Sequence, residues 1–164
     1  MKEKNGEHRL SHTGQVILCM LFLAVWVGDS FFLRISTVLS TAVPLAMPLV
    51  LAGLIMVPAV CLVRSGHSAV PHEQRPADVI TTGAFRYVRH PLYLGSILTY
   101  VGLAISTLSI LSLALCAVIF LFYDFLASYE EKLLEARFGG TYHAYRKRTG
   151  KWFPRIHSIL KRQP

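Results

Sequence analysis

Charge is scarce in this sequence, and negative charge scarcest. Only 16% of the 164 residues are charged, nine of them acidic against 17 basic. A water-soluble domain carries about 25% charged residues. With 53% hydrophobic residues and a mean hydropathy of +0.46, the chain is expected to sit in a membrane. Cysteine is also rare: Cys19, Cys61 and Cys116 lie in apolar runs, an odd number without metal-like spacing, which excludes a disulfide framework and gives no zinc or redox signal. No metal is expected. A glycine-rich turn between a strand and a helix is missing too; the Gly139-Gly140 pair falls at a helix end, so a soluble nucleotide-binding fold is excluded. At 18.3 kDa the chain has room for four or five spans of roughly 20 residues and little else. In so apolar a chain the net charge of +8 reads as topology and headgroup contact, not as a nucleic-acid footprint.

What is present is four apolar runs, which predict an all-α membrane protein with spans over about 15–35, 43–64, 91–105 and 108–128 in a single domain. The first run has the length of a signal-peptide core, but no small-residue cleavage pair follows and apolar character resumes at Phe31, so an uncleaved helix is expected. In the second, Pro44 suits a helix start, while Pro48 and Pro58 are expected to kink it. Only Ser106 and Thr107 separate the last two runs, which predicts a tight antiparallel hairpin. Lys and Arg number three in residues 1–14, one between the first two spans, four in 64–90 and nine after 124. That asymmetry puts both termini and the 64–90 loop in the cytoplasm. The short tails and missing sorting motif suit a bacterial inner membrane. The 65–80 stretch reads as a loop, and the basic and aromatic tail from 141 to 162 as an interfacial anchor.

Two segments carry chemistry. The first runs Thr82-Gly83-Ala84-Phe85-Arg86-Tyr87-Val88-Arg89-His90-Pro91-Leu92-Tyr93-Leu94-Gly95. Pro91 fits the first helical position, His90 the N-cap, and Arg86 and Arg89 add charge where free amides and the helix dipole already favour an anion. Tyr93, Ser96 and Tyr100 continue one stripe of that helix. Taken singly, these residues are ordinary juxtamembrane basics and a cap. The second segment closes the last span with Asp124, Ser128, Glu130, Glu131 and Glu135. Asp124, Ser128, Glu131 and Glu135 share a face, and acids at a helix C-terminus oppose its dipole. Pairing with nearby arginines is the plainer alternative; an ionisable residue at the edge of a span is otherwise a functional candidate. Counting outward from the turn puts Asp124 near the level of His90 and the glutamates further toward the cytoplasm. The two segments would then face each other across a pocket open to cytosol and bilayer, with Ser96, Tyr100 and Asp124 on the substrate side.

The blocks G-x-F-R-Y-x-R-H-P-x-Y-x-G and E-E-x-x-L-x-x-x-F-G-x-x-Y-x-x-Y, with a basic stretch ending in Phe-Pro, resemble the isoprenylcysteine carboxyl methyltransferase family and its phospholipid-methyltransferase relatives over residues 82–155. The resemblance implies an integral-membrane methyltransferase that uses S-adenosyl-L-methionine on a lipophilic acceptor at the cytoplasmic face. Carried over by position, the implied cofactor residues are Arg86, Arg89, His90, Pro91, Tyr93, Glu130, Glu131, Tyr142 and Tyr145. Arg89, His90, Tyr93 and Glu131 are the implied catalytic set. His90 and an arginine are expected to hold the cofactor carboxylate, a glutamate its ribose or ammonium, and Tyr93 its methionyl part. Alternatives are an NADPH-dependent reductase of the sterol-reductase kind, a four-helix transporter and a membrane scaffold. The acceptor and the oligomeric state are not legible.

Overall fold

The computed structural model describes the backbone of residues 3–69 and 78–155, with side chains from His12 onward. Its helices are α1 (Glu3–Val27), α2 (Ala46–Ala69), α3 (Pro91–Thr107), α4 (Ile110–Phe138) and α5 (Gly140–Arg148). The described residues form no strand, and Val88 and Gly150 make one isolated parallel bridge. The described residues are all-helical in architecture. Three stretches, His12–Leu33, Ala46–Ala69 and Ile110–Phe138, are long and apolar enough to cross a membrane; α3 is apolar but shorter, at 17 residues. Their apolar side chains stay largely uncovered, with Phe32, Leu54 and Phe125 more than 65% exposed, as expected where lipid takes the place of water.

Contacts divide the chain into two compact units. The first holds Met1–Met56 and Thr99–Leu126. Its core contains Phe22, Tyr100, Ala104, Ile119 and Tyr123, with the Phe22 and Tyr100 rings 4.8 Å apart. Beyond Val27 the helix widens into one π-helical turn, Gly28–Leu33, ended by Arg34 in the left-handed region. This turn presents Asp29, only 2% exposed, to hydroxyls: Ser109 Oγ donates to it at 2.6 Å, Ser36 Oγ donates as well, and the Ser36 amide does so at 3.0 Å. Trp26 Nε1 donates to Leu103 O at 2.9 Å and Ser30 Oγ to Thr107 Oγ1 at 2.8 Å. These bonds tie the end of α1 to the α3–α4 connection.

That connection is Leu108–Ser109, two residues later than the sequence suggests. Ser106 Oγ bonds back to Leu103 O at 2.7 Å, which lets it remain helical, while Ser109 Oγ accepts the Ser112 amide at 3.1 Å as the N-cap of α4. Pro48 also differs from expectation. It lies in the first turn of α2, where its missing N–H leaves no helical bond unmade, so Pro58 alone is interior.

The second unit holds Val57–Leu98 and Ala127–Pro164. Here α2 and α3 approach closely through Gly95, where an added Cβ would lie 2.6 Å from Val63 Cγ2. Helix α2 continues through Ala69, so only part of the expected 65–80 loop is loop; residues 70–77 lie outside the described ones, as do tail residues 156–164. Helix α4, at 29 residues, is about 43 Å long. Its mostly apolar run ends at Ala127, and the last three turns, from Ser128, carry Glu130, Glu131 and Glu135.

Candidate functional site

Within the second unit, residues 82–90 lead into α3. Gly83 has φ +57 and sits against Ser65, whose carbonyl oxygen would be 3.0 Å from a Cβ at that position, so glycine serves both the turn and the close approach. Gly83–Arg86 form a single 3-10 turn. Pro91 is then the first residue of α3, and His90 O accepts the Leu94 amide at 3.0 Å, which makes His90 the N-cap.

The charged centre is a buried triad. Arg89 Nε donates to Glu131 Oε1 at 2.9 Å, and His90 Nε2 reaches the same oxygen at 3.1 Å. All three residues are less than a tenth exposed. Arg89 Nη1 also donates to Thr149 O at 2.7 Å and, more weakly, to Arg146 O at 3.4 Å. The guanidinium therefore binds the acidic helix and the tail at once. Burial pulls the Glu131 carboxyl upward, but hydrogen bonds from His90 and Arg89 outweigh it and hold the group down at about 2. Beside the triad, Tyr93 Oη donates to Glu130 Oε1, and Glu130 Oε2 lies 3.8 Å from His90 Nδ1. The Tyr93 and His90 rings are parallel within 3°, their centroids 5.8 Å apart.

The tail closes over this centre. Gly139, at φ +49, ends α4, and α5 starts at once. Tyr145 Oη donates to Phe85 O at 2.7 Å, the Arg89 amide to Gly150 O at 2.9 Å, and Lys151 Nζ to Ser128 Oγ at 2.8 Å. Trp152, 9% exposed, stands 6.0 Å from the His90 ring. Tyr142 is 1% exposed, and its Oη has no hydrogen-bond partner. Burial and the negative charge of Glu131 push its phenol up to about 12, and burial raises Tyr145 likewise.

The structure thus brings Arg89, His90, Tyr93, Glu130 and Glu131 into direct contact and sets Tyr142 and Tyr145 in the same unit. Arg86 is exposed on the 3-10 turn, and Ser96 Oγ is turned back onto Leu92 O at 3.0 Å. Tyr100 and Asp124 belong to the first unit. The expected shared face of α4 is borne out at Ser128, Glu131 and Glu135, whose partners are Lys151, the Arg89–His90 pair and His143 with Arg146. The expected level is not: His90 meets Glu131, about two turns beyond Asp124 along α4. Helical side chains lean toward their own N-terminus, so Tyr93 leans outward along α3 and the glutamates lean back to meet it. Sequence reasoning did not find Trp152, Lys151 or the Thr149 carbonyl. The two side chains had been read as interfacial anchors, and a backbone acceptor leaves no sequence signature.

The profile of a family described as phospholipid methyltransferase matches residues 45–141, well over half the chain. The chain belongs to the phospholipid methyltransferase family. The match takes in the whole of α2, α3 and α4, and with them the whole triad. Among curated proteins, this family member is similar to the nickel-cobalt-cadmium resistance protein NccN of Alcaligenes xylosoxydans xylosoxydans, 34% identical over 84 residues. That alignment covers 51% of this chain and 39% of the relative, so the similarity spans well under half of NccN. No solved structure matches.

Proposed function

We propose that the protein is an S-adenosylmethionine-dependent methyltransferase acting on a lipophilic acceptor, an isoprenylcysteine carboxylate-like group or a lipid, at the cytoplasmic face of a bacterial inner membrane. In this reading α3 is a fourth, short span that forms an antiparallel hairpin with α4, and both termini are cytoplasmic, as the Lys and Arg distribution favours. The observation that carries it is the contact of the Arg89-His90-Pro91-x-Tyr93 block with Glu130 and Glu131 in a member of this family.

The residues suit the cofactor. S-adenosylmethionine bears a carboxylate, an ammonium, a sulfonium and ribose hydroxyls, and when bound it supplies an electrophilic methyl group. Glu130, with its side chain 40% exposed, offers a negative charge to a cationic centre. Tyr142 Oη is a buried donor lacking an acceptor, which a ligand oxygen would satisfy. Arg89 is engaged by Glu131 and the tail, so Arg86 is the arginine assigned to the carboxylate. Tyr93 and Tyr145 border the site, and Arg89, Pro91 and Glu131 keep the frame rigid. Methyl transfer needs chiefly alignment and exclusion of water, and Trp152 with the folded tail supplies the second. Calorimetric titration of the purified protein with S-adenosylhomocysteine tests the assignment. Micromolar binding in the wild type, weakened at least tenfold in Glu130→Gln, is expected; equal affinity in both proteins would remove Glu130 from the site.

A further inference from the structure

We infer that residues 140–152 are a hinged strap that must swing off the site for a methyl donor to enter and its product to leave, so that strap opening sets the rate of cofactor exchange. The inference rests on the methyltransferase reading and adds to it a control of access to the same site.

The docked strap hides what a soluble ligand has to reach. Arg89, His90 and Glu131 beneath it are all less than a tenth exposed, and Tyr142, on the strap itself, is 1% exposed. Tyr142 Oη is closed to solvent and has no hydrogen-bond partner, so an acceptor carried by a ligand cannot arrive at it while α5 stays docked. Trp152 shuts the far end of the strap, 9% exposed and 6.0 Å from the His90 ring. Entry therefore requires movement.

The chain supplies a hinge where the strap begins. Helix α4 gives way to α5 across Gly139 and Gly140 with no loop between them. Gly139 needs glycine for its φ of +49, but Gly140 is neither left-handed nor crowded, since an added Cβ there would meet nothing within 4 Å. What glycine adds at Gly140 is backbone freedom. Past the hinge the strap is held by separate polar contacts to two elements. Glu135 of α4 binds His143 at 2.9 Å and Arg146 at 3.3 Å, and Ser128 of α4 accepts from Lys151 at 2.8 Å. On the segment before α3, Phe85 O accepts from Tyr145 Oη, while Arg89 donates to Thr149 O through its side chain and to Gly150 O through its amide. The outer face of α5 meets solvent at Thr141, His143, Ala144 and residues 146–148. At nine residues α5 is too short to keep its helix undocked, so its order depends on these contacts and is lost with them as one unit.

The test uses the full chain in detergent. Without ligand, the amides of residues 143–149 are expected to exchange hydrogen together, at least about tenfold faster than those of 128–135 in α4, and saturating S-adenosylhomocysteine should slow them. Gly140→Ala, for which there is room, should slow both association and dissociation of S-adenosylhomocysteine at least about threefold while Kd stays within about twofold. Ser128→Ala removes an acceptor of Lys151 and should speed both steps about two- to tenfold. Joining Ser128→Cys to Lys151→Cys with a bis-methanethiosulfonate, in a chain whose Cys19, Cys61 and Cys116 are replaced by alanine, should hold bound ligand in place until the linker is reduced. Strap amides that exchange no faster than those of α4, ligand rates in Gly140→Ala equal to wild type, or a linked protein that trades ligand as fast as the reduced one would each overturn the strap. A wild type that binds no S-adenosylhomocysteine, while its strap amides still exchange as a fast group, overturns the methyltransferase reading and not the hinge.

Discussion

Arg89 holds two buried acceptors at once. Arg89→Met keeps the length of the side chain and deletes the guanidinium, which strips Glu131 Oε1 of the 2.9 Å donor and Thr149 O of the 2.7 Å donor. Glu131 would remain buried with His90 as its nearest support. Breaking one side of a buried ion pair costs about 3–5 kcal/mol, and the stranded Thr149 carbonyl adds about 1–3 kcal/mol unless water reaches it. The expected loss is therefore about 4–8 kcal/mol. Removing the stranded charge as well should recover much of it, so Arg89→Met/Glu131→Leu is expected to be at least about 2 kcal/mol more stable than Arg89→Met alone. Unfolding in detergent, followed by Trp152 fluorescence for the two single variants and the double variant, gives the coupling directly. A coupling below about 0.5 kcal/mol, the scale of an exposed pair, would refute the claim that this triad is a buried, tail-anchored unit.

Three further outcomes follow from the same geometry. Because Glu131 titrates near 2 in the folded protein against an ordinary 4.5, its contribution is complete above about pH 4.5 and is lost as pH falls toward 2; acid unfolding should show this loss, and Glu131→Gln should flatten it. Tyr142→Phe removes a buried hydroxyl that has no partner, so the ligand-free protein should keep or gain up to about 1 kcal/mol of stability while S-adenosylhomocysteine affinity falls; weaker stability with unchanged affinity would show the hydroxyl to be structural. In the first unit, Asp29→Ala leaves Ser36 and Ser109 without their acceptor and is expected to destabilise by about 2–4 kcal/mol in detergent, whereas a change under 0.5 kcal/mol would mean the clasp is ornamental.

The helices were legible because apolar runs, Pro91 at a helix start and a basic loop are local signals. The Arg89-His90-Pro91 block and the Glu130–Glu131 pair were legible as places where charge stands at the end of a span without a packing reason. Their mutual register was not, since it depends on how side chains lean and on a connection displaced by the back-bonding of Ser106. The part played by Asp29 was not legible either. Its partner Ser109 lies 80 residues away, and nothing in the spacing of either residue announces the other. The tail was read as an anchor from its composition. The structure instead folds Thr149 to Trp152 over the triad through backbone carbonyls, for which composition carries no information.

The central claim is that the second unit holds a methyl donor. Titrating S-adenosylhomocysteine and, separately, NADPH into the purified protein tests it most directly. Saturable, one-to-one binding of S-adenosylhomocysteine and none of NADPH is expected; saturable binding of NADPH, with S-adenosylhomocysteine inert, would show that the site holds a reductant instead.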